Sequence, residues 1–146
     1  HLWHNNAIEK IEVIAAEKIG IEGRAQFYEQ TGALRDVVQG HLMQLRALTL
    51  MDTPPDFNWA ELPELRFKAL EQIEPVNPES AFRAQYDGYG EEASNPGSTT
   101  ETFVRLELMS TQPRWLDVPI RLVTGKALAE KTTEIRIRFI ERANQT

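Results

Sequence analysis

The stretch Glu134-Ile135-Arg136-Ile137-Arg138-Phe139 decides the fold, because charged and apolar residues alternate strictly along it. Successive side chains of an extended strand point to opposite faces, so this pattern makes a ribbon with one dry and one wet side. Working outward, Val104, Leu106 and Leu108 alternate with Arg105 and Glu107, and Val118, Ile120 and Leu122 with Pro119 and Arg121. Such ribbons close together in the last third predict antiparallel sheet. Ile8 to Ala16 alternates in part, with Ile11, Val13 and Ala15 set against Lys10, Glu12 and Ile14, and predicts another strand. Phe82 to Tyr86 predicts a short one.

The other segments carry a helical period. Gly20 and Gly23 punctuate a turn, and Arg24 to Gln30 predicts a short helix. From Ala33 to Met51, the apolar positions Leu34, Val37, Val38, Leu42, Leu45 and Leu48 recur at three and four residues, the stripe of one long helix. Pro54 and Pro55 forbid its continuation. Asn58 with Glu61 reads as a capping pair. It precedes a second helix through Leu62, Leu65, Ala69, Leu70 and Ile73, which Pro75 stops. Asp87 to Thr100, rich in Gly, Ser, Asn and Pro, reads as a long loop and the most mobile segment. Helices come first and strands later without βαβ alternation. The expected class is therefore α+β, an antiparallel β-sheet with helices packed on one face, as a single domain over residues 1–146.

Composition narrows the function. A length of 146 residues is enough for one substantial core, and 41% hydrophobic with 26% charged residues is ordinary for a soluble fold. A net charge of −6 argues against a general nucleic-acid binder, which would carry a basic stripe. The chain has no cysteine, which excludes disulfides and thiolate metal sites and fits a reducing, cytoplasmic setting. No apolar run approaches the roughly 18 residues that span a bilayer, and the first residues lack the features of a signal peptide. His1 and His4 have a metal-compatible spacing but no third ligand, so no metal is expected. Gly88-Tyr89-Gly90-Glu91-Glu92-Ala93 matches G-x-G-x-x-A, but without a long strand before it or a helix after it the run is no dinucleotide fingerprint. The chain starts at His1 without methionine and soon enters a strand, so a piece of a longer polypeptide is expected.

Two distant segments read as two walls of one anionic-sugar site. One runs from Glu17 to Arg24 and from Gly32 to Leu42; the other runs from Arg114 to Lys126. His41 lies beside the apolar stripe of the long helix. Position alone leaves it equally readable as a core histidine satisfied by a carbonyl or as a general base, since an imidazole can take a hydroxyl proton near neutral pH. Asp36, five residues earlier, would sit about 140° away around an α-helix and could not face it. Glu17 and Asp36 could accept hydrogen bonds from sugar hydroxyls, although single carboxylates usually only solvate a surface. Lys126 and Lys131 follow a strand, where their ammonium groups could meet an anion or simply water.

At these residues a family resemblance emerges. Leu2-Trp3, Ala16-Glu17, Glu22-Gly23-Arg24, Tyr28, Gly32-Ala33-Leu34-Arg35-Asp36, Gln39 and His41-Leu42 resemble the glucose-6-phosphate dehydrogenase family. So do Gly97-Ser98-Thr99-Thr100-Glu101-Thr102-Phe103, Arg114-Trp115, Val118-Pro119, and Arg121 through Gly125-Lys126-Ala127-Leu128. The blocks keep the family's order from about Leu2 to Phe139. The resemblance implies the central part of the family's C-terminal β+α domain, with the dinucleotide-binding domain outside these residues. It implies that His41 is the base removing the C1 hydroxyl proton of glucose 6-phosphate as hydride passes to NADP, giving 6-phosphogluconolactone in the pentose phosphate pathway. It further implies that Glu17 and Asp36 hold sugar hydroxyls, that Lys126 and Lys131 approach the phosphate, that Arg121 contacts a second, structural NADP, and that copies form a homo-oligomer through the sheet.

Three departures stand out: Gly40 where asparagine is usual, Ala25-Gln26 where a glycine pair is usual, and Lys131 where arginine is frequent. The family's Asp-His-Tyr-Leu-Gly-Lys-Glu segment is not among these residues, so the fragment alone is expected to be inactive. Two other readings compete: a non-catalytic regulatory or scaffolding homologue that associates through the sheet, and an independent sugar-phosphate binding module.

Overall fold

Five strands, β1 (Ile8–Ala16), β2 (Phe82–Ala84), β3 (Phe103–Leu108), β4 (Ile120–Gly125) and β5 (Thr132–Phe139), form one sheet in the order β2-β3-β4-β1-β5. This is a computed structural model, and it describes residues 2–141, so His1 and residues 142–146 lie outside it. Three pairings, β2–β3, β3–β4 and β1–β5, are antiparallel as the alternation predicts. The central pair differs: β1 and β4 run parallel, in register from Ile11 opposite Ile120 to Ala16 opposite Gly125. Alternation reports which face a side chain occupies and favours antiparallel sheet as a whole; it does not fix the direction of each neighbouring pair.

The dry face supplies the core. Leu106, Leu122 and Val13 form one row across the sheet, and Leu108, Ile120 and Ile11 the next, all buried. Val37, Val38, Leu42 and Leu50 from the helical segment join the same cluster. Each large aliphatic side chain so buried contributes about 1.5–3 kcal/mol. The wet face carries the row Glu107–Arg121–Glu12–Arg136, in which charge alternates from strand to strand.

The helices are α1 (Ala25–Ala33), a π-helix (Leu34–Leu42), α2 (Met43–Leu50), α3 (Leu62–Glu71) and the short α4 (Tyr89–Glu92). The single helix predicted over 33–51 is thus two helices of different pitch. Gly32 breaks the chain before it with φ +60°, and a Cβ there would lie 2.5 Å from Glu101 Oε1. That carboxylate is fixed because it accepts a hydrogen bond from the Leu34 N–H at 2.9 Å, while the Glu101 carbonyl accepts from Ala33. Asn58 does cap, but its side chain accepts from Ala60 and opens the 3₁₀ turn Trp59–Glu61 ahead of α3. Asp87–Thr100 is not a loose loop: it contains α4 and buries Tyr89, which is 1% exposed. Among the described residues, no helix is long and apolar enough to cross a membrane.

Candidate functional site

A cleft of about 780 Å³ opens where β1 and β4 end. Because these strands are parallel and Ala16 pairs with Gly125, the next residues on each, Glu17 and Lys126, emerge side by side. The backbone holds them there: Glu17 N–H donates to the Gly125 carbonyl, and Leu128 N–H to that of Glu17, each at 2.9 Å. Lys126 Nζ then donates to Glu17 Oε2 at 2.9 Å. Lys126 is 3% exposed, whereas Lys18, Arg24 and Lys131, which also line the cleft, are exposed.

The π-helix forms the facing wall and contributes Asp36, Val37, Gly40, His41 and Leu42. Its hydrogen bonds run from residue i to i+5, as Met43 N–H to Val38 carbonyl illustrates. Five residues then close approximately one turn, so Asp36 and His41 share a face. The α-helical angle that separated them does not apply here, because a π-helix takes more residues to each turn. His41 is exposed, which excludes the core-histidine reading. Gly40 is not required by sterics, since the nearest atom to an added Cβ is the Arg35 carbonyl oxygen at 3.8 Å. Gln44, one turn beyond His41, also lines the cleft and was not signalled by any motif.

Behind Lys126 lies a second layer. The Tyr28 ring faces its ammonium at 5.5 Å, and the residue after Tyr28, Glu29, accepts hydrogen bonds from Tyr89 Oη at 2.5 Å, Ser98 Oγ at 2.6 Å and Asn95 Nδ2 at 2.7 Å. These bonds, that of Ser98 foremost, hold the Glu29 carboxyl at about 2. A carboxyl lowered on folding stabilises above its unfolded value, about 4.3, and loses that contribution as pH falls towards its folded value. The stability lost on Glu29→Gln substitution, measured by urea denaturation, should therefore shrink as pH is lowered through about 4. A difference that stays constant down to about pH 3 would refute this.

Glu17, Asp36, His41, Lys126 and Lys131 thus meet in one cleft, and Arg121 does not. Arg121 lies on the wet face of the sheet, shared between Glu12 at 3.4 Å and Glu107 at 3.2 Å. Among the described residues, four cationic side chains (Lys18, Arg24, Lys126 and Lys131) line the cleft against two carboxylates, an excess of positive charge inside a chain of net charge −6. Such a cavity favours a small anion that also offers hydroxyls.

Residues 1–146 match the family model of the glucose-6-phosphate dehydrogenase C-terminal domain, and the chain belongs to that family. It is 40% identical over 142 residues to glucose-6-phosphate 1-dehydrogenase 1 of Mycobacterium tuberculosis, covering 97% of this chain and 30% of that protein. It is 39% identical over 148 residues to glucose-6-phosphate 1-dehydrogenase of Chlamydia muridarum, covering 94% and 29%. The crystal structure of glucose-6-phosphate 1-dehydrogenase from Mycobacterium avium superposes with a TM-score of 0.92 at 39% identity, over 98% of this chain and 32% of that one. A structure of glucose-6-phosphate dehydrogenase in complex with its substrate glucose-6-phosphate gives 0.92 at 30% identity, over 99% and 32%. The chain therefore spans about three tenths of the length of the curated relatives it matches.

Proposed function

We propose that this chain is the substrate-binding and catalytic-base portion of an NADP-dependent glucose-6-phosphate dehydrogenase acting in the cytoplasm. The observation that carries the reading is the cleft itself: an exposed imidazole, two carboxylates and an excess of ammonium and guanidinium groups converge in it. A phosphate would seat near Lys126 and Lys131. Glu17 and Asp36 would accept hydrogen bonds from ring hydroxyls, which fixes the sugar's orientation. His41 would then take the proton of the C1 hydroxyl as the C–H bond breaks.

NADP, as hydride acceptor, would supply the redox chemistry. The residues present here do not form its cradle: Gly88–Ala93 follows a three-residue strand and makes a four-residue helix. The dinucleotide is accordingly assigned to the remainder of the full-length protein. A second, structural NADP at Arg121 does not fit the residues as they stand, because the row Glu107–Arg121–Glu12–Arg136 offers a phosphate no net positive charge. The same alternating row is complementary to a two-fold copy of itself, which favours homo-oligomer formation through the wet face. The scaffolding reading needs that face alone and leaves the charged cleft without a purpose.

The test uses the full-length protein. Glucose 6-phosphate should raise its melting temperature saturably and support NADP reduction. A flat thermal titration with no NADPH formed would refute the assignment.

A further inference from the structure

Among the described residues, Lys126 is the one buried cation of the four that line the cleft, and a tyrosine ring packs against its ammonium. The Tyr28 ring, on a residue 1% exposed, lies 5.5 Å from its Nζ. Tyr28 meets Tyr89 edge-on at 6.1 Å, and Tyr89 meets Tyr86 edge-on at 5.5 Å. The far end of this column is pinned: Tyr89 donates to Glu29, and Tyr86 Oη to Glu92 Oε2 at 2.5 Å.

An ammonium on a four-carbon stem is flexible and has three hydrogens to place. Here Glu17 takes one direction and the ring face accepts charge from another. Lys126 also lines the cleft, so a hydrogen not taken by Glu17 is available to an anion bound there. The Tyr28 hydroxyl adds nothing to this, because it is buried with no hydrogen-bond partner among the described residues. The ring is the working part.

We infer that Tyr28 is a positioning residue: its ring holds the Lys126 ammonium against the cleft, ready for the phosphate of the substrate. The inference rests on the sugar-phosphate reading above, and its test separates the two.

In the full-length protein, Tyr28→Phe keeps the ring, and Tyr28→Leu removes it. Pentafluorophenylalanine at position 28 keeps the shape and reverses the ring's charge distribution, which serves where the leucine variant does not fold. Acetylation of Lys126 by limiting acetic anhydride, read by mass spectrometry against exposed Lys68, reports the hold on the ammonium. With leucine or the fluorinated ring, Lys126 should label about fivefold faster or more relative to Lys68, and KM for glucose 6-phosphate should rise about tenfold with kcat within about threefold. Tyr28→Phe should match the unaltered protein in both. Labelling within about twofold of the unaltered protein in the ring-deficient variants overturns the positioning role. Faster labelling with unchanged KM keeps that role and removes Lys126 from phosphate binding.

Discussion

Asparagine in place of His41 should lower kcat of the full-length protein by about 10²–10⁴-fold while leaving KM for glucose 6-phosphate within about threefold. On the proposed function the effect is large because proton removal from the C1 hydroxyl needs a positioned base, and among the described residues no other imidazole lines the cleft. Glu17 is committed to Lys126, so it is poorly placed to substitute. The substitution should not disturb folding: His41 is exposed and lies outside the hydrophobic cluster, which takes Val37, Val38 and Leu42 from the same helix. Steady-state kinetics beside a thermal melt check both halves. A kcat within about fivefold of the unaltered protein would remove His41 from the chemistry.

The second large effect concerns stability. Trp115 is 0% exposed, and its Nε1 donates to the Leu50 carbonyl at 3.0 Å. Its ring meets Trp3 edge-on at 5.7 Å, and it packs in the cluster that includes Ile120 and Leu122. Alanine would remove this volume and leave a cavity between the sheet and the end of α2. The expected loss is about 3–5 kcal/mol. Phenylalanine would retain most of the contact and orphan the Leu50 carbonyl, for about 1–3 kcal/mol. Urea denaturation separates the two. A Trp115→Ala loss below about 1 kcal/mol would mean that the surroundings collapse to fill the space.

Much of this architecture was legible in the sequence because its cause is local. The alternation through Ile135–Phe139 marks a strand, although its apolar side stays largely exposed, with Ile135 at 39% and Phe139 at 45%. That through Val104–Leu108 marks one because burial of one face forces a period of two. The apolar spacing over 34–50 marks helix for the same reason. Its pitch was not legible: spacings of four and five between Val37, Val38 and Leu42 satisfy an α-helical and a π-helical stripe alike. The wider turn is accompanied by the Glu101 carboxylate at the Leu34 N–H, a contact 67 residues distant in sequence. The order imposed on 87–100 likewise comes from Glu29, whose bonds to Tyr89, Asn95 and Ser98 no composition rule could anticipate. Of the cleft, the residue types and the meeting of the two segments were readable from motif order; the backbone geometry that sets Glu17 beside Lys126 was not. It depends on the direction of one central strand pair.

That direction ties recognition to folding. Sliding β1 past β4 by a single step would carry Ile11 and Val13 out of the interior and would also part the carboxylate of Glu17 from the ammonium of Lys126. The hydrophobic effect therefore acts as the ruler for a polar site: oil-like side chains midway along the strands set the spacing of charges at their tips. Substitutions that slacken that interior should blunt ligand affinity before the protein melts.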